Sequence, residues 1–306
     1  MNNLYILFMR KIITNVLKDL FRFVTRYRFF IMLLLIITGS VIYYFNQPVI
    51  KVVKGVNIKV CKSEAVDSIW DINDSLVSPV MYQKVPDLRD LHYKERMVKF
   101  VDLMLPSVLL AKEKMENKRK KLVHLQYEME NGSGQNVDSI YIEGVLKEYK
   151  TDDIREVIKR LHPHPTSIVL AQAAIESGWC TSRFCREANN IFGIWSYNSN
   201  EKRIRASESR NGNSVYLRKY DSLFESIYDY LNTIAKVHAY KEFREIRQSS
   251  RNPYRLIWYL SNYSEKRYEY VRTLRNVIEF NDLAKYDGYS LAKIKPDDPV
   301  WESIIE

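Results

Sequence analysis

Residues 166–179 read TSIVLAQAAIESGW, and this stretch decides the fold. Thr166 or Ser167 suits the N-cap of a helix, and the helical pattern runs on toward Gly178. The side chains in between are small or apolar nearly all round, which is typical of a helix buried in a core. The stretch therefore predicts a central, buried helix.

A single carboxylate, Glu176, lies at the end of this apolar helix. A buried carboxylate must find polar partners or keep its proton. Burial raises its pKa, and the negative end of the helix dipole acts in the same direction, so such a group can donate a proton near neutral pH. Gln172 lies one turn earlier on the same face and is placed to hydrogen-bond it. The alternative is a glutamate paired with an arginine inside a helical core.

Other segments indicate what surrounds this helix. Helical spacing recurs in residues 92–130, where Pro106 is expected to kink or split the segment, and in residues 145–161. Later helices are expected at residues 222–247, 252–262 and 265–282. Residues 193–220 look irregular or β-like. Together these patterns predict a mainly α (α+β) fold with two lobes, the smaller one irregular or β.

Residues 29–45 (FFIMLLLIITGSVIYYF) carry no charge and would span roughly 25 Å as a helix, enough for a bilayer core. Six basic residues and one acidic residue precede them. The positive-inside rule then places residues 1–28 in the cytoplasm. We expect a retained single-pass anchor in the inner membrane, with the rest of the chain in the periplasm. A cleaved signal peptide, which would release the protein into the periplasm, is the alternative.

The formal net charge of +10 first suggests nucleic acid as a partner, but about half of the excess lies in residues 1–28. The remaining chain is mildly basic, which suits an anionic polymer such as the bacterial cell wall. The run KEKMENKRKK at residues 112–121 is most simply a solvated helix face. The charge pattern therefore favours a wall polymer over nucleic acid.

Three cysteines are too few for a disulfide scaffold. Cys180 and Cys185 would close a small loop in an oxidising compartment, but a spacing of five on one helix would forbid the bond, so free or structural thiols are favoured. His162 and His164 bracket a proline and, with Cys180, only mimic a metal site. The sequence predicts no metal and no cofactor.

Three blocks in order carry a resemblance to a known family: Ala171-Gln-Ala-Ala-Ile-Glu-Ser-Gly-Trp179, Thr181-Ser-Arg-Phe184 and Asn189-Asn-Ile-Phe-Gly193. They resemble the signature of the bacterial glucosaminidase family, which contains autolysins and flagellar wall hydrolases. Further segments resemble its Bax-like branch: Tyr220-Asp-Ser, Ser226, His238-Ala-Tyr240, Tyr263-Ser-Glu, Tyr270-Val271 and, upstream, Phe100-Val-Asp-Leu-Met-Leu-Pro106.

The resemblance implies a lysozyme-like fold and cleavage of the β-1,4 bond that follows N-acetylglucosamine in peptidoglycan, with Glu176 as general acid. The rivals are a lytic transglycosylase and a non-catalytic wall-binding protein. The chain then divides into a basic cytoplasmic segment (1–28), an anchor (29–45), a connector (46–90), a helical segment (91–135), the lysozyme-like domain (136–290) and a tail (291–306).

Two-carboxylate glycosidases need a second acidic residue. In this family it follows the Phe-Gly element, where the candidates are Glu201, Glu208, Asp221 and Glu225. Glu208 is preferred, although each of these also suits a solvated loop charge. Relatives often carry a histidine and an acid where this chain reads Asn213-Ser-Val-Tyr216, so a mechanism assisted by the substrate's own acetamido group stays open.

The expected substrate groove contains Gln172, Asn190, Phe192, Gly193, Trp195, Tyr220, Tyr263 and Tyr270. Gly193 would let a glycan approach the backbone, Asn190 would bond acetamido groups, and the aromatic rings offer apolar faces to sugars. Alternatively, the aromatic residues simply pack in the core.

Overall fold

The computed structural model describes residues 14–15, 18, 25–27, 29–30, 32–41, 49–53, 56–62, 64–131, 138–210 and 213–292. The chain separates into two compact units, Met1–Gln47 and Pro48–Glu306. The sequence instead divides the second unit into a connector, a helical segment, a domain and a tail.

In the first unit, residues 32–41 are helical and exposed. Residues 31 and 42–45 of the expected anchor lie outside the described residues, as does most of the basic segment before it. Across the described residues, every helix is too short or too polar to cross a bilayer. The anchor stays a prediction.

The longest helix of the second unit is α1 (Tyr93–Glu130), which is buried on all sides from Phe100 to Ala111. Pro106 lies inside it and is buried, so the expected split of this segment is wrong. A proline removes one helical hydrogen bond. Here the apolar burial of the neighbouring turns offsets that loss.

Shorter helices follow α1 in the chain, and α3, α4 and α6 pack against it. They are α2 (Ser139–Tyr149), α3 (Ile154–Arg160), α4 (Thr166–Ser177), α5 (Arg183–Ala188), α6 (Leu223–Lys236), α7 (Lys241–Ile246), α8 (Pro253–Leu256) and α9 (Tyr268–Phe280). The expected helix at 145–161 is two helices. Lys150 adopts a left-handed φ of 51° that ends α2, and the Asp153 side chain caps α3. The expected helix at 222–247 is likewise broken, by a 3-10 turn at His238–Tyr240.

Three small sheets complete the fold. The first has strand order β1-β2-β4 and contains β1 (Val49–Val53), β2 (Val56–Cys61) and β4 (Val80–Tyr82). The second pairs β3 (Leu76–Val77) with β7 (Ser290–Leu291), and the third is the hairpin of β5 (Arg203–Arg210) and β6 (Asn213–Arg218). The predicted irregular or β-like segment therefore contains a hairpin.

A single apolar core joins α1, α4, α6 and α9. Tyr82 and Leu88, which the sequence assigns to an extended connector, are fully buried in it. The described part of residues 46–90 therefore belongs to the folded unit. The protein is mainly helical with small sheets, as predicted.

Candidate active site

Helix α4 is almost wholly buried and positions the candidate acid at its C-terminal end. Neither Thr166 nor Ser167 is its N-cap: the cap residue is Pro165, and Asp287 accepts hydrogen bonds from the Ser167 N–H (2.7 Å) and hydroxyl (2.8 Å). At the other end, Gly178 has a φ of 58° and closes the helix in the left-handed conformation that favours glycine.

Glu176 is exposed to solvent as a residue, although its neighbours in α4, Ile175 and Ser177, are half-buried and buried. The Tyr270 hydroxyl donates to Glu176 Oε1 over 3.1 Å. Partial burial raises the pKa of Glu176, and the hydrogen bond from Tyr270 opposes that rise without cancelling it. Within the described part of the chain, no lysine or arginine forms an ion pair with this carboxyl. The arginine-paired alternative is therefore not found.

Four tyrosines lie close enough to Glu176 to interact electrostatically with it: Tyr230, Tyr240, Tyr263 and Tyr270. The Tyr263 and Tyr270 rings stack, with centroids 5.4 Å apart. Burial raises the pKa of each of the four hydroxyls, so they stay neutral at physiological pH. The acid therefore lies near neutral hydroxyls, of which Tyr270 hydrogen-bonds it, and these hydroxyls cannot neutralise its charge.

Gln172 is fully buried and does not bond Glu176 directly. Its Nε2 donates to the Tyr270 hydroxyl over 3.1 Å, and its Oε1 accepts a hydrogen bond from Tyr230. The expected direct contact within α4 is replaced by a bridge through Tyr270. Because both polar ends of this side chain are used inside the core, Gln172 supports the tyrosines instead of lining a groove.

Asn190 is also buried and cannot offer its amide to a glycan. Its Nδ2 donates to the carbonyls of Ile194 and Arg218, and its Oδ1 accepts from the Ile194 N–H. These bonds tie the turn after α5 to strand β6. The expected acetamido contact of Asn190 is therefore replaced by a structural role.

The other predicted groove residues differ in exposure. Phe192 is buried and stacks on Tyr230 at 4.0 Å, whereas Trp195 is 38% exposed. Gly193 has a φ of 64°, and a Cβ placed there would meet nothing within 4 Å. Open space beside this backbone is compatible with the close approach of a ligand.

Tyr220 belongs to a different cluster. Its hydroxyl donates to Asp229 Oδ2 over 2.7 Å, and Arg218 Nη1 donates to the same oxygen over 2.7 Å. Asp229 was missed in the sequence because it is an ordinary acid on the polar face of α6. Its one signal is its spacing of four residues from Glu225, which also places it on that face.

The candidates for a second carboxylate mostly have structural partners. Glu201 pairs with Arg218 (3.3 Å), Asp221 pairs with Lys202 (2.6 Å), and Glu225 accepts from the Asp221 N–H (2.9 Å). Glu208 belongs to β5, and its side chain lies outside the described residues. The assignment of Glu208 stays a prediction.

Cys180 and Cys185 form a disulfide with a Cα–Cα distance of 5.6 Å. The preference for free thiols is wrong, because Cys180 lies in the turn after α4 and only Cys185 lies on α5. The two residues are therefore not on one helix. The bond joins the end of α4, close to Glu176, to the start of the next element.

His162 and His164 do not form a metal site with Cys180, whose sulfur is used in the disulfide. His164 is buried, and its Nε2 lies 3.1 Å from the Tyr230 hydroxyl. Among the residues that the structure describes, no cluster of three or more histidine, cysteine or acidic side chains is placed to hold a metal ion.

Glu176 is a protonatable carboxyl near the end of a core helix, among tyrosine hydroxyls and with no cationic partner in the described part of the chain. This arrangement is suited to general acid catalysis. Residues 151–283 match the glucosaminidase family, described as mannosyl-glycoprotein endo-β-N-acetylglucosaminidase. This match and the similarity to a Bax protein confirm the resemblance of the motifs to the Bax-like glucosaminidases.

The chain is 27% identical over 176 residues to Protein bax of Escherichia coli. The match covers 55% of this chain and 61% of that protein, so the chain spans about three-fifths of the length of this relative.

Two solved structures are also similar. The catalytic domain of the autolysin Auto from Listeria monocytogenes is 19% identical, with 53% of this chain and 96% of that chain covered and a TM-score of 0.35. A peptidoglycan hydrolase from Sphingomonas sp. A1 is 22% identical, with 43% and 86% covered and a TM-score of 0.33.

Proposed function

We propose that this protein is a peptidoglycan hydrolase with a lysozyme-like fold, a β-N-acetylglucosaminidase that cleaves the β-1,4 bond following N-acetylglucosamine. The observation that carries the proposal is the Glu176 carboxyl: partial burial raises its pKa, and it has no cationic partner among the described residues. The proposal is further supported by the match of residues 151–283 to the glucosaminidase family.

In this mechanism Glu176 protonates the glycosidic oxygen as the bond to the sugar breaks. Protonation of a leaving group by a placed acid typically contributes about 10²–10⁴-fold in rate. Tyr270 occupies Oε1, so Oε2 is the oxygen that delivers the proton to the glycan. The hydroxyl bond also stabilises the carboxylate that remains after transfer.

The positive charge that develops on the sugar needs a second group. Glu208 is our candidate because it follows the Phe-Gly element, where this family places its second acid. Two other acids of this region are in ion pairs: Glu201 with Arg218, and Asp221 with Lys202. The substrate's own acetamido oxygen would serve equally well chemically.

The groove on this proposal is lined by aromatic faces. Trp195 is half-exposed, Tyr263 stacks on Tyr270, and the open backbone at Gly193 leaves room for a sugar ring. Phe192 supports the groove from the core and does not contact the sugar, since its ring is buried against Tyr230.

A lytic transglycosylase is the second candidate, because such enzymes rely on one glutamate and several acids near the site are already paired. Mass spectrometry of digested sacculi separates the two. Reducing N-acetylglucosamine ends support the glucosaminidase, whereas anhydro-muramic ends identify the transglycosylase and overturn the proposed bond.

The catalytic role of Glu176 is tested with the full chain in detergent. Wild type and a Glu176→Gln variant are incubated with purified sacculi, and bound protein and released muropeptides are measured. We expect normal binding and release reduced by at least about 100-fold. Glu143→Gln, on the exposed face of α2, is the matched control. Equal release by Glu176→Gln and wild type would mean that Glu176 is not the catalytic acid. If neither releases more than sacculi without protein, the protein is a non-catalytic wall-binding protein.

The proposed location is the periplasm, with residues 29–45 as an inner-membrane anchor. The uncharged stretch supports this, and so does the Cys180–Cys185 disulfide, because such bonds persist in oxidising compartments. Membrane fractionation with external protease on spheroplasts tests it. A soluble, protected protein would contradict it.

A further inference from the structure

A continuous network of hydrogen bonds crosses the core from Arg247 to Glu176. Its contacts are Arg247 Nη1 to His164 Nδ1 (3.5 Å), His164 Nε2 to the Tyr230 hydroxyl (3.1 Å), Tyr230 to Gln172 Oε1, Gln172 Nε2 to the Tyr270 hydroxyl (3.1 Å), and Tyr270 to Glu176 Oε1 (3.1 Å). We call these six residues the Arg247–Glu176 network. It joins the segment after α7, the loop before α4, and helices α6, α4 and α9.

The two ends of the network give it one direction. Arg247 can only donate, and an unprotonated carboxylate oxygen of Glu176 can only accept. His164 must therefore accept at Nδ1 and carry its hydrogen on Nε2. Complete burial and the nearby Arg247 charge lower the pKa of His164, which keeps the ring neutral and permits this tautomer.

The hydrogen bonds of Tyr230, Gln172 and Tyr270 then each have one direction as well. Tyr230 accepts from His164 and donates to Gln172 Oε1, and this donation fixes which end of the Gln172 amide faces which tyrosine. Gln172 Nε2 consequently donates to Tyr270, whose hydroxyl hydrogen is left to point at Glu176.

We propose that Arg247, His164 and Tyr230 are positioning residues that make Tyr270 a hydrogen-bond donor to Glu176 Oε1, so that the acidic proton of Glu176 is held on Oε2. The orientation rests on the contacts of the network and on which of its groups can donate or accept. Its consequence for catalysis rests on the proposed function.

The direction matters because a tyrosine hydroxyl can bond a carboxylic acid in two ways. If Tyr270 accepted from the protonated acid, the proton would lie between the two side chains and away from the glycan. That arrangement would favour the protonated form and raise the pKa of Glu176. Holding Tyr270 as a donor prevents it.

The groups that face Glu176 are consistent with Tyr270 being the donor in this hydrogen bond. Tyr230 faces it from α6, Tyr270 from α9, and Tyr240 and Tyr263 from the 3-10 turns at His238–Tyr240 and Ile257–Tyr263. Burial keeps all four hydroxyls neutral. Arg247 is the charged end of the network. Its Nη2 donates to the Arg160 carbonyl over 2.6 Å, and no carboxylate within the described ranges pairs with it.

The test compares two variants that each remove one buried tyrosine hydroxyl donating to an amide oxygen. Tyr230→Phe frees the Gln172 amide to turn round. Tyr149→Phe removes the bond to Asn232 Oδ1 (3.0 Å), which is outside the network. The Glu176 carboxyl is titrated by ¹³C NMR in full-length protein, and kcat and KM on sacculus fragments are measured against pH.

We expect Tyr230→Phe to raise the pKa of Glu176, to move the alkaline limb of the kcat profile upward, and to lower kcat about tenfold with KM unchanged. Tyr149→Phe should move neither pKa nor profile, even if it lowers stability equally. A Glu176 titration that is the same in both variants overturns the proposal.

A second variant within the network controls for a folding defect in Tyr230→Phe. Gln172→Met removes the donor to Tyr270 with a side chain of similar length, and it should raise the pKa of Glu176 in the same way. The NMR titration reads the network whether or not the protein cleaves peptidoglycan. An inactive wild type with the expected titration would therefore overturn the proposed function alone.

Discussion

Tyr270 donates to Glu176 Oε1 over 3.1 Å, although the two residues are 94 positions apart in the chain. The contact joins α9 to the end of α4, so the environment of the candidate acid depends on the packing of these two helices. Among the described residues it is the one hydrogen bond to this carboxyl, and it opposes the effect of burial on the pKa of Glu176.

Replacing Tyr270 with Phe should raise the pKa of Glu176, because the carboxylate loses the hydrogen bond that stabilises its charged form. The alkaline limb of the pH–rate profile should move upward, and kcat should fall by at least about tenfold. Carboxyl NMR titration and kinetics measure both effects. Tyr268→Phe, an exposed position on the same helix, is the control. An unchanged titration would mean that the bond is not made in solution.

Glu176→Gln should stabilise the protein at neutral and alkaline pH. Burial raises the pKa of Glu176 in the folded state, so its contribution to stability is complete below the unfolded pKa and is lost as pH rises through the folded pKa. A glutamine cannot ionise and avoids that loss. Thermal melts across pH should show Tm differences that grow with pH and vanish in acid. Glu143→Gln should show no such trend, and a flat difference for Glu176→Gln would contradict the assigned burial.

Replacing two glycines with alanine should change the free energy of unfolding in opposite directions. Gly178→Ala should lower the free energy of unfolding by about 1–2 kcal/mol, because its φ of 58° is left-handed and the new Cβ would meet Thr181 Oγ1 at 3.0 Å. Gly144 lies inside α2, and a Cβ at this position would have nothing within 4 Å. Gly144→Ala should therefore raise the free energy of unfolding by about 1 kcal/mol. Urea unfolding measures both. Stabilisation by Gly178→Ala would contradict a left-handed helix end at Gly178.

Removing the disulfide with Cys180→Ser and Cys185→Ser together should lower the free energy of unfolding by about 2 kcal/mol, the chain-entropy effect of so small a loop. Urea unfolding with and without reductant measures it. Cys61→Ser is the control, since that thiol is free. Wild-type stability that does not respond to reductant would indicate that the bond contributes nothing.

Glu208→Gln should reduce muropeptide release by about 100-fold or more if this residue is the second carboxylate. Glu201→Gln is the matched control, because Glu201 is held by Arg218 and lies near the start of the same hairpin. Its expected effect is on stability alone. Full activity of Glu208→Gln would favour a mechanism assisted by the substrate.

Local patterns predicted much of the site. The small and apolar run before Glu176 predicted a buried helix with an acid at its end, because burial of a helix on all sides leaves a periodic signature in neighbouring residues. The motifs between Ala171 and Gly193 indicated the family for a similar reason: the acid, the glycine turns and the aromatic residues are close in sequence. The mainly helical class followed from spacing alone.

Several predictions were wrong where packing or chain geometry beyond the local pattern decides the outcome. Pro106 was expected to kink or split its helix, but the helix runs through it without a break. Thr166 or Ser167 was expected to cap α4, but the capping carboxylate comes from Asp287, 120 positions after Ser167. Free thiols were expected where the turn after α4 brings Cys180 to Cys185.

The sequence by itself determined that an acid follows a buried helix and which family's motifs surround it, since both are properties of adjacent residues. Only the tertiary structure decided what that acid touches. Gln172, Tyr230, His164 and Arg247 meet in the core through the packing of separate helices, and a hydrogen bond between residues far apart in the chain leaves no local periodicity by which to predict it.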